Sequence, residues 1–182
     1  MHGKEMVIKA VADKKTGRLL GVQIVGYEGV DKRLDVFVTA ISFNAKVEDL
    51  FHLDLGYAPP YSTAKDPVMY TGMILENAIH RDRPLMTAKE LDDLIRSGEK
   101  YNLIDVRNPE QNPENRIDDA KTVPHEEIRE AAKTMDEELV TIVYCNRGVS
   151  GNAVQSILIG KGFKKVYNLS GGQKQYNNTH KE

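Results

Sequence analysis

The chain has 182 residues, a formal net charge of −2 and 40% hydrophobic residues, proportions typical of a soluble protein with one large or two small domains. This charge gives no electrostatic basis for binding nucleic acid or an anionic membrane, and no apolar stretch reaches the roughly 20 residues of a transmembrane helix. The single cysteine, Cys145, excludes an internal disulfide or a cysteine-only metal site and favours a reducing, cytoplasmic location.

The first part of the chain reads as a β-hairpin followed by helices, an α+β arrangement. Two strand-like runs, over residues 6–12 and 19–25, flank a turn that contains Thr16 and Gly17. Apolar residues then recur at three- and four-residue steps, which predicts an amphipathic helix over residues 31–45. The remaining predicted elements are a short helix over 47–53, an extended segment over 54–60, and a helix over 67–80 that Asp66 caps and Pro67 begins.

The segment 81–84, Arg-Asp-Arg-Pro, is charged and ends in proline, so it suits a junction between domains over residues 1–80 and 84–182. Beyond it, strands and helices alternate, which predicts an α/β domain with a mostly parallel sheet covered on both faces. The predicted elements are a helix over 87–97 opened by the capping box of Thr87 and Glu90, strands over 102–106, 139–144 and 165–169, and helices over 125–133 and 149–159.

Cys145 follows the strand over 139–144 and precedes a helix, so it is predicted to lie at the carboxyl edge of the sheet, where open α/β proteins bind ligands. Backbone N–H groups at a helix N-terminus can stabilise a thiolate or persulfide anion. A buried structural cysteine is the alternative, and position alone leaves both interpretations open. The residues that would form the anion-binding loop are Asn146, Arg147, Gly148, Val149 and Ser150.

Three motifs of the second part, taken together, resemble the rhodanese family. Cys145 to Ser150 resembles the active-site loop, residues 103–107 (Leu-Ile-Asp-Val-Arg) resemble the strand that ends in Asp-x-Arg, and residues 166–172 resemble the closing strand with its double glycine. The resemblance implies that Cys145 accepts sulfane sulfur as a persulfide and passes it to a thiol. For Asp105 and Arg107 we favour a structural role, in which they hold the sheet edge, over the alternative of a direct part in the chemistry.

Ser150 departs from the family pattern, because many active sulfurtransferases of this family carry arginine at that loop position. Anionic thiosulfate is therefore expected to bind poorly, although Arg147 can replace part of the charge. The departure favours an alternative function, in which the chain is a non-catalytic dimerisation and docking module with an inactive rhodanese domain.

The first part resembles the dimerisation domain of the flavin-dependent pyridine nucleotide–disulfide oxidoreductases. The matching residues are 16–26 (TGRLLGVQIVG), 29–33, 54–62 and 65–68. The resemblance implies a homodimer that forms through this domain. It also implies that Tyr57 and Tyr61 reach the partner subunit's active site and donate hydrogen bonds to a thiolate leaving group. Packing of each tyrosine under a proline turn is the alternative.

The order of the two parts resembles the C-terminal portion of a coenzyme A–disulfide reductase fused to a rhodanese domain. FAD, NAD(P)H and coenzyme A are therefore expected in the full-length protein. The sequence has neither a glycine-rich dinucleotide fingerprint nor a second redox cysteine. The chain alone, a truncated product or a fragment, is expected to bind none of these cofactors. No metal site is expected, because the scattered His52, His80 and His125 lack the spacing of metal ligands.

Overall fold

The computed structural model describes residues 4–60, 63–111 and 116–180. The chain divides into two units, Met1–Asp82 and Arg83–Glu182. Among the described residues, one hydrophobic cluster lies in the first unit and two lie in the second. No helix in the described ranges is long and apolar enough to span a bilayer.

An antiparallel hairpin opens the first unit. Its strands are β1 (Met6–Ala12) and β2 (Leu19–Gly26). The Asp13 carboxylate accepts hydrogen bonds from the backbone N–H groups of Lys15 and Thr16, at 3.0 and 2.7 Å, which closes the connecting turn. The bond from the N–H of Thr16 is the largest cause of a lowered pKa of Asp13. The hairpin and the helices that follow it confirm the α+β prediction for this part of the chain.

In the part of the first unit that the structure describes, three helices follow the hairpin: α1 (Val30–Ser42), α2 (Val47–Phe51) and α3 (Pro67–His80). Asp66 caps α3 as predicted, because its side chain accepts a hydrogen bond from the N–H of Val68 at 3.0 Å. The same carboxylate forms an ion pair with Arg33 of α1 at 2.7 Å, which ties the two helices together. The fully or nearly fully buried core residues are Leu19, Phe37, Leu50 and Val68.

Helix α1 ends earlier than predicted. The sequence indicated a helix to residue 45, but the helix stops at Ser42 and Asn44 adopts a left-handed conformation, with φ of 57°. The carbonyl of Ala45 then accepts a hydrogen bond from the N–H of Leu19 at 2.9 Å. Pairing with the hairpin therefore replaces the last predicted turn of the helix, which is a tertiary effect that residue periodicity does not contain.

The second unit is built on a parallel sheet, as predicted. In chain order, its strands are β3 (Leu85–Met86), β4 (Tyr101–Asp105), β5 (Lys121–Thr122), β6 (Val140–Tyr144) and β7 (Val166–Leu169). Their order in the sheet is β3-β7-β6-β4-β5, and every adjacent pair is parallel. The two short strands at the edges of the sheet, β3 and β5, were not predicted from the sequence.

Two cores cover the two faces of this sheet. Successive strand residues point to opposite faces, and accordingly Ile104 and Val143 lie in one cluster whereas Leu103 and Ile142 lie in the other. The prediction of a sheet covered on both faces is confirmed. The covering helices are α4 (Ala88–Ser97), α5 (Ile128–Ala131), α6 (Val149–Gly160) and α7 (Gly172–Thr179).

The capping box that opens α4 is present, with the Thr87 side chain accepting from Glu90 N–H at 3.2 Å and the Glu90 carboxylate accepting from Thr87 N–H at 2.7 Å. The helix predicted over residues 125–133 is one turn long. The carbonyl of Pro124 accepts the N–H of Glu127 at 2.9 Å, so the chain makes a separate turn before α5 begins. Helix α7 was missed, because its polar residues give no apolar period.

Candidate active site

Cys145 lies where β6 ends, at the carboxyl edge of the parallel sheet, and only 7% of its surface is exposed. The chain turns at Gly148, which has φ of 97°, and α6 begins at Val149. The backbone N–H of Gly148 donates a hydrogen bond to Cys145 Sγ at 3.1 Å. The sulfur therefore accepts a hydrogen bond from a backbone donor at the N-terminus of a helix.

The remaining loop residues differ in exposure. Asn146, Arg147 and Val149 are exposed, and Val149 has 80% of its surface accessible. Ser150 is half-buried in the first turn of α6. The structure therefore brings the predicted loop residues together around one end of α6, with a basic and an apolar side chain turned to solvent.

Asp105 and Arg107 form a buried ion pair at the end of β4. The guanidinium donates from Nε and Nη2 to the two carboxylate oxygens at 2.6–3.0 Å, and the side chains are only 4% and 5% exposed. The hydrogen bond to Asp105 is the main cause of a raised pKa of Arg107. Arg107 Nη1 also donates to Asn146 Oδ1 at 3.1 Å. The pair therefore contacts residue 146 of the loop that carries Cys145, residues 145–150, hereafter the sulfur loop. The structural role of the pair remains a prediction.

Tyr144, the residue before the cysteine, was not singled out from the sequence. Its ring is fully buried, the Arg107 guanidinium lies 5.8 Å from the ring centroid, and its hydroxyl accepts the N–H of Ile117 at 3.2 Å. Burial, followed by the charge of Asp105, raises the pKa of Tyr144 well above its usual range. The hydroxyl is therefore a neutral, structural group beneath the site.

Asn168 of β7 supports the loop from the sheet. Its Nδ2 donates to the carbonyl of Gly148 at 2.9 Å, and the residue is 5% exposed. Gly151 of α6 lies directly above it, because a Cβ at Gly151 would come within 2.3 Å of Asn168 Oδ1. The sequence signal for this contact was weak: Asn168 lies in the closing-strand motif, but nothing in that motif shows that it reaches Gly148.

The structure describes one of the two tyrosines that are predicted to reach the partner subunit's active site. Tyr57 lies between α2 and α3 with 54% of its surface exposed. Tyr61 lies outside the described residues. The roles proposed for Tyr57 and Tyr61 therefore remain predictions.

The described residues of neither unit form a turn suited to a dinucleotide cofactor. In the first unit, the sheet within residues 4–60 and 63–82 is an antiparallel hairpin, whereas a dinucleotide pyrophosphate needs a glycine-rich turn between a parallel strand and a helix. The glycine-bearing turn before α6 is closed around Cys145 Sγ. These residues do not fit a flavin or a nicotinamide. Across the described ranges, no group of three or more His, Cys, Asp or Glu side chains could hold a metal ion.

Comparison with known proteins identifies both parts of the chain. The rhodanese-like domain family matches residues 87–179, and the pyridine nucleotide-disulphide oxidoreductase dimerisation domain matches residues 1–67. Among curated proteins, the NAD(P)H sulfur oxidoreductase (CoA-dependent) of Pyrococcus abyssi is 40% identical over 74 residues, which are 41% of this chain and 16% of that protein. The chain therefore spans well under a quarter of this relative's length.

Two solved structures are similar to nearly the whole chain. Reduced Bacillus anthracis CoADR-RHD is 36% identical with a TM-score of 0.88, over 96% of this chain and 31% of that one. The NAD-dependent persulfide reductase from A. fulgidus is 31% identical with a TM-score of 0.78, over 93% of this chain and 30% of that one. Because the rhodanese-like match covers more than half of the residues, the chain belongs to the rhodanese-like domain family, here preceded by an oxidoreductase dimerisation domain.

Proposed function

We propose that the chain is the C-terminal part of a flavin-dependent coenzyme A–disulfide or persulfide reductase, whose rhodanese-like domain carries sulfane sulfur on Cys145. The observation that carries this proposal is the hydrogen bond from Gly148 N–H to Cys145 Sγ at 3.1 Å, at the start of α6. The names of the similar proteins, which include sulfur oxidoreductases and a persulfide reductase, support the same chemistry. The functional domains would be residues 1–80 and 84–182.

The sulfur-transfer step requires a nucleophile and a stabilised anion, both of which the loop provides. The thiolate of Cys145 attacks the outer sulfur of a persulfide donor, and the donor's sulfur–sulfur bond breaks. The donor leaves as a thiolate that takes up a proton, and Cys145 holds the persulfide. An acceptor thiolate then attacks the outer sulfur, which restores the Cys145 thiolate. One sulfur atom is thus transferred from the donor to the acceptor with no net oxidation or reduction.

The backbone of the loop stabilises the charge in this cycle. Gly148 N–H already donates to Sγ, and donors that are fixed before the reaction stabilise an anion without reorganising. Ser150 brings no positive charge to the site, so we expect neutral or weakly charged persulfides to be better donors than thiosulfate. Arg147, which is exposed at the loop, would meet an anionic part of the donor or acceptor.

We further propose that FAD, NAD(P)H and coenzyme A bind to regions of the full-length protein that correspond to the parts of the relatives that this chain does not match. When bound there, they would supply the reducing step, whereas the residues of this chain supply sulfur transfer. The first domain would form a homodimer and bring Tyr57 and Tyr61 towards the partner subunit's active site. A reducing cytoplasm fits a chain whose single cysteine, Cys145, has to remain a thiol.

The test is sulfur uptake by the full chain and by its Cys145→Ser variant. Each protein is incubated with glutathione persulfide, inorganic polysulfide or thiosulfate, and the peptide that contains residue 145 is analysed by mass spectrometry. We expect the wild-type peptide to gain the mass of one sulfur atom and to lose it on treatment with cyanide or a thiol. The peptide of the variant should gain no mass. If none of the donors loads Cys145, the inactive docking module becomes the better description.

The proposed homodimer has a separate test. Sedimentation velocity of the full chain over a range of concentrations should show a dimer, and a strictly monomeric species at every concentration would contradict the role assigned to the first domain.

A further inference from the structure

Helix α7 begins directly against the sulfur loop. The N–H of Gln173 donates to the carbonyl of Cys145 at 2.9 Å, and the N–H of Lys174 donates to the carbonyl of Asn146 at 3.1 Å. Both donors belong to the first turn of α7, where helix N–H groups have no partner within the helix. The loop carbonyls take the place of that missing partner.

Gly172 makes this approach possible. Its φ is 61°, and a Cβ at this position would lie 2.2 Å from the carbonyl oxygen of Cys145 and 2.8 Å from the backbone nitrogen of Arg147. No real Cβ tolerates such distances to backbone atoms, so the loop and α7 can come this close only at a glycine. The double glycine was identified in the sequence as a feature of the family. Its second residue, Gly172, allows the backbone of α7 to contact the backbone of the sulfur loop.

The contact fixes the direction of the loop's peptide groups. In a planar trans peptide, the C=O and the following N–H point in opposite directions. Because the carbonyls of Cys145 and Asn146 face α7, the N–H groups of Asn146 and Arg147 face away from it. The chain then turns at Gly148, whose N–H reaches Cys145 Sγ. The bonds from α7 therefore fix the backbone conformation of residues 145–147, which lead to the turn at Gly148.

The other end of α7 is attached to α4. Tyr176 donates its hydroxyl to Asp92 Oδ1 at 3.1 Å, and the ring Nε2 of His180 lies 3.0 Å from Asp92 Oδ2. Burial, followed by the hydrogen bond to Asp92, raises the pKa of Tyr176 to about 12, so its hydroxyl stays protonated as a donor. Because its other end is bonded to α4, α7 provides a fixed support for the sulfur loop.

We infer that α7 is a positioning element for sulfur transfer, in which Gly172 and the N–H groups of Gln173 and Lys174 keep the loop in the conformation that presents Gly148 N–H to the sulfur of Cys145. The inference rests on the proposed function, since positioning matters to catalysis only if Cys145 carries sulfur. These groups contact the loop backbone, so they act through Gly148 rather than on the sulfur.

The first test compares Gly172→Ala with Gly171→Ala in the full chain. Gly171 has a similar left-handed φ of 74°, but its added Cβ would meet the side chain of Gln175 within α7 instead of the loop. Both variants therefore place a Cβ on a residue with a left-handed backbone conformation, but only Gly172→Ala brings that Cβ into steric conflict with the sulfur loop. Sulfur transfer from glutathione persulfide to a thiol acceptor should fall at least about tenfold in kcat for Gly172→Ala, with an unchanged KM for the acceptor.

A second pair keeps the test decisive if Gly172→Ala does not fold. Gln173→Pro removes the N–H that holds the Cys145 carbonyl, and proline is tolerated in the first turn of a helix. Gln173→Ala removes the same side chain but keeps the N–H. The proline variant should transfer sulfur several-fold more slowly than the alanine variant, while the far-ultraviolet circular dichroism of the two variants stays the same.

The outcomes separate the inference from the proposed function. Absence of sulfur on wild-type Cys145 overturns the proposed function, and this inference with it. Sulfur uptake by the wild type, combined with equal rates within each pair, overturns only the inference. A slower Gly172→Ala or Gln173→Pro variant, relative to its partner, supports it.

Discussion

Replacement of Arg107 by leucine tests whether the buried pair with Asp105 holds the sheet edge beside the sulfur loop. The two side chains are 5% and 4% exposed, and the guanidinium donates to both carboxylate oxygens at 2.6–3.0 Å. Leucine fills part of the space but leaves the Asp105 carboxylate buried without its counter-charge. Breaking such a pair from one side lowers the free energy of unfolding by about 3–5 kcal/mol. The lost bond to Asn146 adds about 1 kcal/mol.

Two further variants give the expected order. Arg107→Lys keeps the positive charge but loses the planar fork that bonds both oxygens, so its loss should be smaller, about 1–3 kcal/mol. The double variant Asp105→Leu with Arg107→Leu has no uncompensated buried charge, and it should be more stable than Arg107→Leu alone. A loss that came only from the missing arginine side chain, and not from the unpaired carboxylate of Asp105, would persist in the double variant.

The assay uses Cys145 as a probe of the second unit. Because this cysteine is the only one in the chain and is 7% exposed, its alkylation in increasing urea reports unfolding around the site. Arg96→Leu is the matched control: Arg96 pairs with Asp93 at 2.9 Å, but both side chains are more than half exposed, so its removal should change stability by less than about 0.5 kcal/mol. If Arg107→Leu is no more destabilised than Arg96→Leu, the structural role of the buried pair is refuted.

Two further predictions concern α6 and the end of α7. Gly151→Ala should lower stability by about 1–3 kcal/mol in thermal unfolding, because its Cβ would lie 2.3 Å from Asn168 Oδ1. Gly160→Ala, in the same helix but with open space around its Cβ, should be neutral or stabilising, and equal losses would contradict the packing argument. The hydrogen bond to the Tyr176 carbonyl raises the pKa of His180. Protonated His180 thus stabilises the fold below its unfolded pKa of about 6.5, and this contribution is lost as the pH rises through the higher folded pKa. The stability difference between wild type and His180→Gln should therefore be larger near pH 5 than near pH 9, and a pH-independent difference would contradict it.

Elements that depend on neighbouring residues were predictable from the sequence. The capping box of Thr87 and Glu90 places the start of α4, and Asp66 with Pro67 places the start of α3, because each signal lies within three residues of the feature that it sets. The hairpin and the parallel sheet follow in the same way from residue periodicity. These are the parts of the fold in which local chemistry and the final structure agree.

Elements that depend on distant partners were not predictable. Helix α1 stops at Ser42 because Ala45 pairs with Leu19, which is 26 positions earlier in the chain. The edge strands β3 and β5 are two residues long and exist through their pairing with β7 and β4. A pattern over neighbouring residues contains no information on either contact, so the sequence-based boundaries there were wrong or absent.

The candidate site also combines features that neighbouring residues determine with features that depend on distant partners. Cys145 and the turn at Gly148 could be placed from the strand–loop–helix pattern, since they are adjacent in sequence. Their supports could not, because the bond from Arg107 to Asn146 spans 39 positions and the bond from Asn168 to Gly148 spans 20. The parallel sheet brings these residues together at its carboxyl edge, and only the assembled fold shows which of them touch.

This geometry bears on the meaning of Ser150. The donor to the sulfur is a backbone N–H, and the groups that hold that donor are the side chain of Asn168, the guanidinium of Arg107 and the first amides of α7. The side chain of Ser150 takes no part in these bonds. If Cys145 carries sulfur as proposed, a serine in place of the family's arginine leaves these bonds in place and removes a positive charge that an anionic donor would use. We therefore expect Ser150 to change the preferred sulfur donor rather than to abolish the sulfur-carrying step.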